Sequence, residues 1–162
     1  MSSLPALRML SPTIASHTIT IALPVRQCQM LFTPAGETLW VAGWAPRYLH
    51  PSDGTTTPGM VFMTGTGEDT TVWTLTHFSA SPHHARYARV TPASHWGFVD
   101  IACDPVQAKR TRVTVTYAMQ ATCASDPTLP AHYAPDAFAA MIDGWKRRID
   151  ERLDALRDAR IG

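Results

Sequence analysis

FTPAGETLWVAGWAP, residues 32–46, sets Trp40 and Trp44 four positions apart in a short segment punctuated by proline and glycine. So much aromatic surface in a connector needs cover, and the segment is expected to cap something rather than hang in solvent. Thr33-Pro34 reads as a helix start, a hydroxyl N-cap followed by a proline whose missing N–H costs nothing there. A short helix from Pro34 to about Val41 is therefore predicted. Glu37 falls one position late for a capping box, so capping alone does not explain its carboxylate. A surface or helix-start position is expected for it, with a polar anchor inside the cap as the alternative. The two tryptophans are expected to pack, with lining a ligand entrance as the alternative.

Outward from this segment, residues 17–23 alternate Ile19, Ile21 and Leu23 against Thr18 and Thr20, the pattern of a half-buried strand. Pro24 then suits the first turn of another short helix, reaching Leu31. Residues 50–58 read as a loop. Strands are expected at 59–66, 71–78, 84–90, 96–103 and 111–123, separated by turn signals such as Gly65-Thr66-Gly67 and Asp104-Pro105. That spacing indicates an antiparallel meander rather than βαβ units. Ala134-Pro135-Asp136 opens a last helix, in which Phe138, Met141, Ile142, Trp145, Ile149, Leu153 and Leu156 keep one face apolar. The expected fold class is α+β. A curved antiparallel sheet of about six strands carries two short helices after its first strand and a long C-terminal helix over a cavity.

The 162 residues suit one domain, taken as 17–162 behind a loose arm at 1–16. That arm has no continuous apolar run of the kind a signal peptide carries. Apolar and charged fractions of 45% and 17%, with a net charge of +1, are those of a globular chain. Mixed signs argue against nucleic acid as a partner, and no segment approaches the ~20 apolar residues of a membrane insertion. Cys28, Cys103 and Cys123 are odd in number and widely spaced, which favours reduced thiols in a cytoplasmic protein over disulfides or zinc. His83 and His84 would point to opposite faces of a strand, so no metal site and no cofactor are expected. There is no Gly-x-Ser-x-Gly elbow to motivate a serine triad.

The element order, with Phe32-Thr-Pro-x-Gly-Glu-x-x-Trp-x-x-Gly-Trp-x-Pro46 as its most specific mark, resembles the helix-grip superfamily. That superfamily includes START domains, Bet v 1-like proteins and polyketide cyclase/dehydrase-like proteins (SRPBCC). Gly59-x-Val-Phe62, Val72-Trp-Thr74 and Thr111-Arg-Val-Thr-Val-Thr-Tyr117 support the likeness, which runs from about His17 to Arg152. In the bacterial-type subgroup that these motifs look like, an acidic residue commonly stands before the final proline, where this chain has Ala45. The resemblance implies a cavity beneath the C-terminal helix that binds a small hydrophobic molecule, a lipid, aromatic or polyketide-like. It also implies a cyclase or dehydratase activity as an alternative, and a protein-interaction module of the chaperone-activator type as a second. Many members form homodimers.

Face parity supplies the candidate wall. Val113, Val115, Tyr117 and Met119 share one face of their strand, and Trp73, Leu75 and His77 share a face of theirs. In 96–103 the set Trp96, Phe98 and Asp100 opposes Gly97, Val99 and Ile101, and parity leaves open which points inward. The same holds for Tyr87 and its neighbours in 84–90. Candidate ligand-binding residues are Trp73, His77, Tyr87, Phe98, Tyr117 and Trp145, an apolar wall with a few polar groups. Were there chemistry, His77, Asp100 or Tyr117 would serve as general acid or base.

Overall fold

Strand β1 (Thr13–Ile21) buries Ala15, Ile19 and Ile21 on one face and leaves threonines and serine on the other. Two short helices follow, α1 (Val25–Met30) and α2 (Pro34–Glu37). The chain then returns strand by strand through β2 (Arg47–His50), β3 (Val61–Thr64), β4 (Thr71–Ala80), β5 (His83–Thr91), β6 (His95–Gln107) and β7 (Arg110–Ala121). Helices α3 (Thr128–His132), α4 (Pro135–Asp150) and α5 (Leu153–Asp158) follow. The computed structural model describes residues 12–122 and 128–158. Its seven strands form one curved antiparallel sheet in the order β1-β7-β6-β5-β4-β3-β2. The two short helices therefore carry the chain from one edge of the sheet to the other, and the meander brings it back beside β1.

Helix α4 lies over the β1 side of the sheet and buries Phe138, Ile142 and Ile149. His17 Nε2 and Asp143 Oδ1, 2.8 Å apart, mark where the helix crosses the strand. Cys28 and Cys103 sit buried in the core between α1 and β6. The Cys28 thiol is pushed up in pKa by its hydrogen bond with Cys103 and by burial, which leaves it a poor nucleophile.

Several boundaries differ from the sequence expectation. Residues 13–16, assigned to the loose arm, extend β1, because Thr13 to Ser16 pair with Met119 to Thr116 on β7. Residues 1–11 of that arm lie outside the described residues. The seventh strand is β2, too short and too exposed to show an alternating pattern. Helix α2 ends at Glu37 rather than near Val41, and turn bonds such as Trp40 N–H to the Glu37 carbonyl (3.2 Å) carry the chain onward. The long final helix is interrupted after Asp150, where the Arg152 N–H reaches the Ile149 carbonyl (3.0 Å) in a tightened turn. No glycine or proline stands at that break to announce it.

The cap starts as its sequence suggests. Thr33 Oγ1 accepts from the Gly36 N–H at 3.0 Å and donates to the Met30 carbonyl at 2.7 Å, joining α2 to the end of α1. Gly36 is pressed on that same carbonyl: a Cβ built there would lie 1.9 Å from the Met30 oxygen. The three nearest atoms, two of Met30 and one of Leu31, are all backbone and cannot swing aside. Gly36→Ala should accordingly destabilise the fold by about 1–3 kcal/mol or more, by denaturant titration. Stability equal to wild type would mean that the two helices are not so closely joined.

Candidate functional site

Directly opposed residues in neighbouring strands share a sheet face, and the register settles which side chains look inward. Val99 of β6 stands opposite Tyr87 of β5 and Tyr117 of β7, and Ile101 opposite Ala85 and Val115. Leu75 faces Tyr87, and Trp73 faces Arg89. These residues form the inner face. Together with the cap they line a partly open cavity of about 290 Å³. Among the described residues, the cap contributes Phe32, Pro34, Glu37, Trp40, Val41 and Trp44 to the wall. Strands supply Phe62, Thr64, Trp73, Tyr87, Arg89, Val99, Ile101 and Tyr117, and α4 supplies Trp145.

Hydrogen bonds fix the rings. The Trp40 and Trp44 indole N–H groups donate to the Leu31 and Pro34 carbonyls, each at 2.8 Å. The Tyr87 hydroxyl donates to the Phe32 carbonyl at 2.9 Å and so ties the cap to the sheet. The Trp73 indole donates to Thr64 Oγ1 at 2.9 Å. Trp73 stacks parallel on Phe62 with centroids 5.8 Å apart, and Trp44 meets Trp73 edge-on at 6.0 Å. Trp145 closes the other side, 5.7 Å from Trp40 and 6.4 Å from Tyr117.

Two ionisable groups stand in this apolar wall. Arg89 lays its guanidinium over Trp73, 4.6 Å from the ring centroid, in a cation–π contact. Its Nε is buried and has no hydrogen-bond partner. Glu37 has its pKa pushed up to about 8, because burial penalises the carboxylate and the Arg89 charge offsets only part of that. Burial also raises the phenol of Tyr117, against the lowering effect of the Arg89 guanidinium beside it. Tyr87 is raised by burial and by the Glu37 charge. Near neutral pH the cavity thus holds one cation, one carboxylic acid that keeps its proton, and two neutral phenols.

Of the residues expected to line the site, Trp73, Tyr87, Tyr117 and Trp145 do so, and His77, Phe98 and Asp100 do not. A β-bulge between Leu75 and His77 shifts the register, so His77 leaves the face of Trp73 and Leu75 and becomes exposed, bonded to Ser79 Oγ at 3.1 Å. Phe98 and Asp100 alternate with Val99 and Ile101 and therefore point outward. Phe98 lies under the Arg86 guanidinium at 4.4 Å, and Asp100 pairs with His84 at 2.9 Å. Sequence reasoning did not single out Arg89 among the neighbours of Tyr87 in 84–90. It placed Glu37 at the surface, although the missed capping-box position was the available signal that its carboxylate had other work. Among the described residues no cluster of three or more metal-ligating side chains forms, and no helix is long and apolar enough to cross a membrane.

No protein-family profile matches the chain, and no curated protein matches it in sequence. Solved structures do match in shape. A hypothetical protein from Helicobacter pylori superimposes with a TM-score of 0.67 at 12% identity, covering 97% of this chain and 99% of that one. A START superfamily protein from Mycobacterium smegmatis gives 0.62 at 9% identity, over 88% of this chain and 98% of that one. Norcoclaurine synthase from Thalictrum flavum gives 0.62 at 9% identity, over 93% and 95%. The architecture is thus a helix-grip α+β fold. It is the fold of START and Bet v 1-like proteins within the SRPBCC group.

The raised pKa of Glu37 has a consequence for stability. Unfolded, this glutamate loses its proton near its ordinary 4.5; folded, it holds the proton until about 8. Between those values the folded state binds more protons, so this group's contribution to stability falls as pH rises through the window and is constant above it. Glu37→Gln removes the titration. The variant should therefore gain on wild type progressively from pH 4.5 to pH 8, reaching on the order of 2 kcal/mol after allowance for solvent near this half-buried residue. Parallel stability curves for the two proteins, from denaturant titrations across pH, would contradict a Glu37 that holds its proton to about 8.

Proposed function

We propose that this chain binds a small hydrophobic, ring-bearing molecule in the cavity between the sheet, the cap and Trp145. The observation that carries the reading is the wall itself. Hydrogen-bonded aromatic rings stand around a partly open cavity, where a collapsed core would have filled the space. At about 290 Å³ the space lies at the low end of small-molecule pockets. That size fits about two fused rings rather than a long acyl chain, and so favours an aromatic over a lipid. Norcoclaurine synthase, which shares the fold, has been solved with dopamine and hydroxybenzaldehyde, both single-ring compounds.

Four of the five tryptophans line the cavity, so tryptophan emission should report occupancy by a neutral probe such as 2-acetylnaphthalene. Val99→Phe, which fills the inner face from β6, should weaken that binding by about tenfold or more while leaving cooperative unfolding intact. A titration unchanged by Val99→Phe would remove the cavity as the binding site.

A second reading has one observation behind it. Glu37 titrates at about 8 in the cavity wall near Arg89, so that above this pH its carboxylate can act as a general base with the guanidinium as electrostatic partner. In this reading the chain would enolise a ketone, Glu37 taking the α-proton while Arg89 and Tyr117 hold the developing oxyanion. His77 and Asp100, on the outer face, have no part in it. Wild type should then speed deuterium exchange into the methyl group of 2-acetylnaphthalene, and Glu37→Gln should not. Exchange no faster than in buffer would leave the binding reading alone.

A further inference from the structure

Arg89 is a charge without an anionic partner. A guanidinium is ionised at any accessible pH, and taking it out of water is costly unless an anion and hydrogen bonds replace the water. Among the described residues, no carboxylate lies within ion-pairing distance of it. Its Nε is buried and unbonded, and its flat face is already taken by Trp73. The Tyr117 phenol shares a hydrogen bond with the guanidinium but brings it no negative charge, so Arg89 stands on the cavity wall without an anion. The groups around it come from three elements and a turn: Glu37 from α2, Tyr87 from the same strand, Tyr117 from β7, and Tyr133 from the turn before α4. None of these supplies a compensating anion near neutral pH.

We infer that the cavity takes a small aromatic acid, with the ligand's carboxylate seated on the Arg89 guanidinium and its ring among Trp73, Trp44 and Trp145. This rests on the cavity-binding reading and narrows its ligand to an anion. A carboxylate matches the planar fork of a guanidinium two bonds at a time, and the aromatic walls cover the rest of such a molecule. Protonated Glu37 adds a donor on the other side of the space, and it neither repels the ligand nor neutralises Arg89. Ionisation of Glu37 reverses both effects. Arg89 stays charged throughout, and the phenols of Tyr87, Tyr117 and Tyr133 are all raised by burial, so Glu37 is the cavity group that titrates as pH passes about 8. Affinity for the acid is then highest below that pH and falls above it.

The test uses two probes of one shape, 2-naphthoate and 2-acetylnaphthalene, titrated calorimetrically into the full chain. Wild type should bind naphthoate about tenfold or more tightly than the ketone, the gain expected of hydrogen bonds to a charged group. Arg89→Met keeps an apolar stem over Trp73 and should abolish that preference. Naphthoate affinity should drop as pH rises past about 8 in wild type and stay level in Glu37→Gln. Equal affinities for the two probes in wild type, a measurement that needs no variant, would overturn the inference while leaving the cavity reading intact. A preference that survives Arg89→Met would overturn it as well. Failure of both probes to bind would sink the cavity reading and this inference together.

Discussion

Three hydrogen bonds to backbone carbonyls hold the cap in place, and the cavity depends on them. Trp40 and Trp44 donate back into their own segment, at Leu31 and Pro34, and Tyr87 reaches across from β5 to Phe32. Each indole is thereby turned so that its ring stands as a wall rather than folding flat into the sheet. A buried aromatic with a polar handle is a rigid part only when the handle is satisfied. The joint between α1 and α2 sets the position of the whole segment. There Thr33 bridges Met30 and Gly36, and Gly36 lets the backbones approach. Without that joint the rings would have no fixed place over the sheet.

The same arrangement explains the electrostatics. Helix α4 packs mainly on β1 and gives the cavity only Trp145, so the central and far strands must be covered by something else. The cap covers them and, in doing so, brings Glu37 into a wall that already holds Arg89. An acid and a base meeting in an apolar space would ordinarily be expected to pair. Here they remain apart, with Arg89 held over Trp73 and Glu37 keeping its proton up to about 8. A guanidinium beside a carboxyl that keeps its proton leaves the site with a net positive charge near neutral pH, which is the basis for assigning it an anionic ligand.

Much of this fold could be read from residue spacing. The alternation in 17–23 and 111–123 and the apolar face running from Phe138 to Ile149 each follow a single period, and those elements are where the sequence puts them. Parity alone could not orient β6, because Phe98 and Val99 are both apolar and only pairing with Tyr87 and Tyr117 chooses between them. His77 was misplaced because a bulge changes parity without leaving a mark in the residues themselves. Arg89 and Glu37 were hidden for a different reason. Charged residues are usually solvated, and only the three-dimensional placement of the cap over β5 takes these two partly out of water. The cap itself was legible as aromatic surface in need of cover, but its share in the chemistry of the wall was not.

Glu37 gathers these threads, since its protonation state reports at once that the cap is closed, that its wall is dry, and that Arg89 stands near without pairing. The most direct measurement is the titration of its side-chain carboxyl carbon by ¹³C NMR, assigned by comparison with Glu37→Gln. A closed cap predicts a midpoint of about 8. A midpoint at the ordinary glutamate value of 4.5 would show an acid in open water, and the cavity as described would not exist in solution.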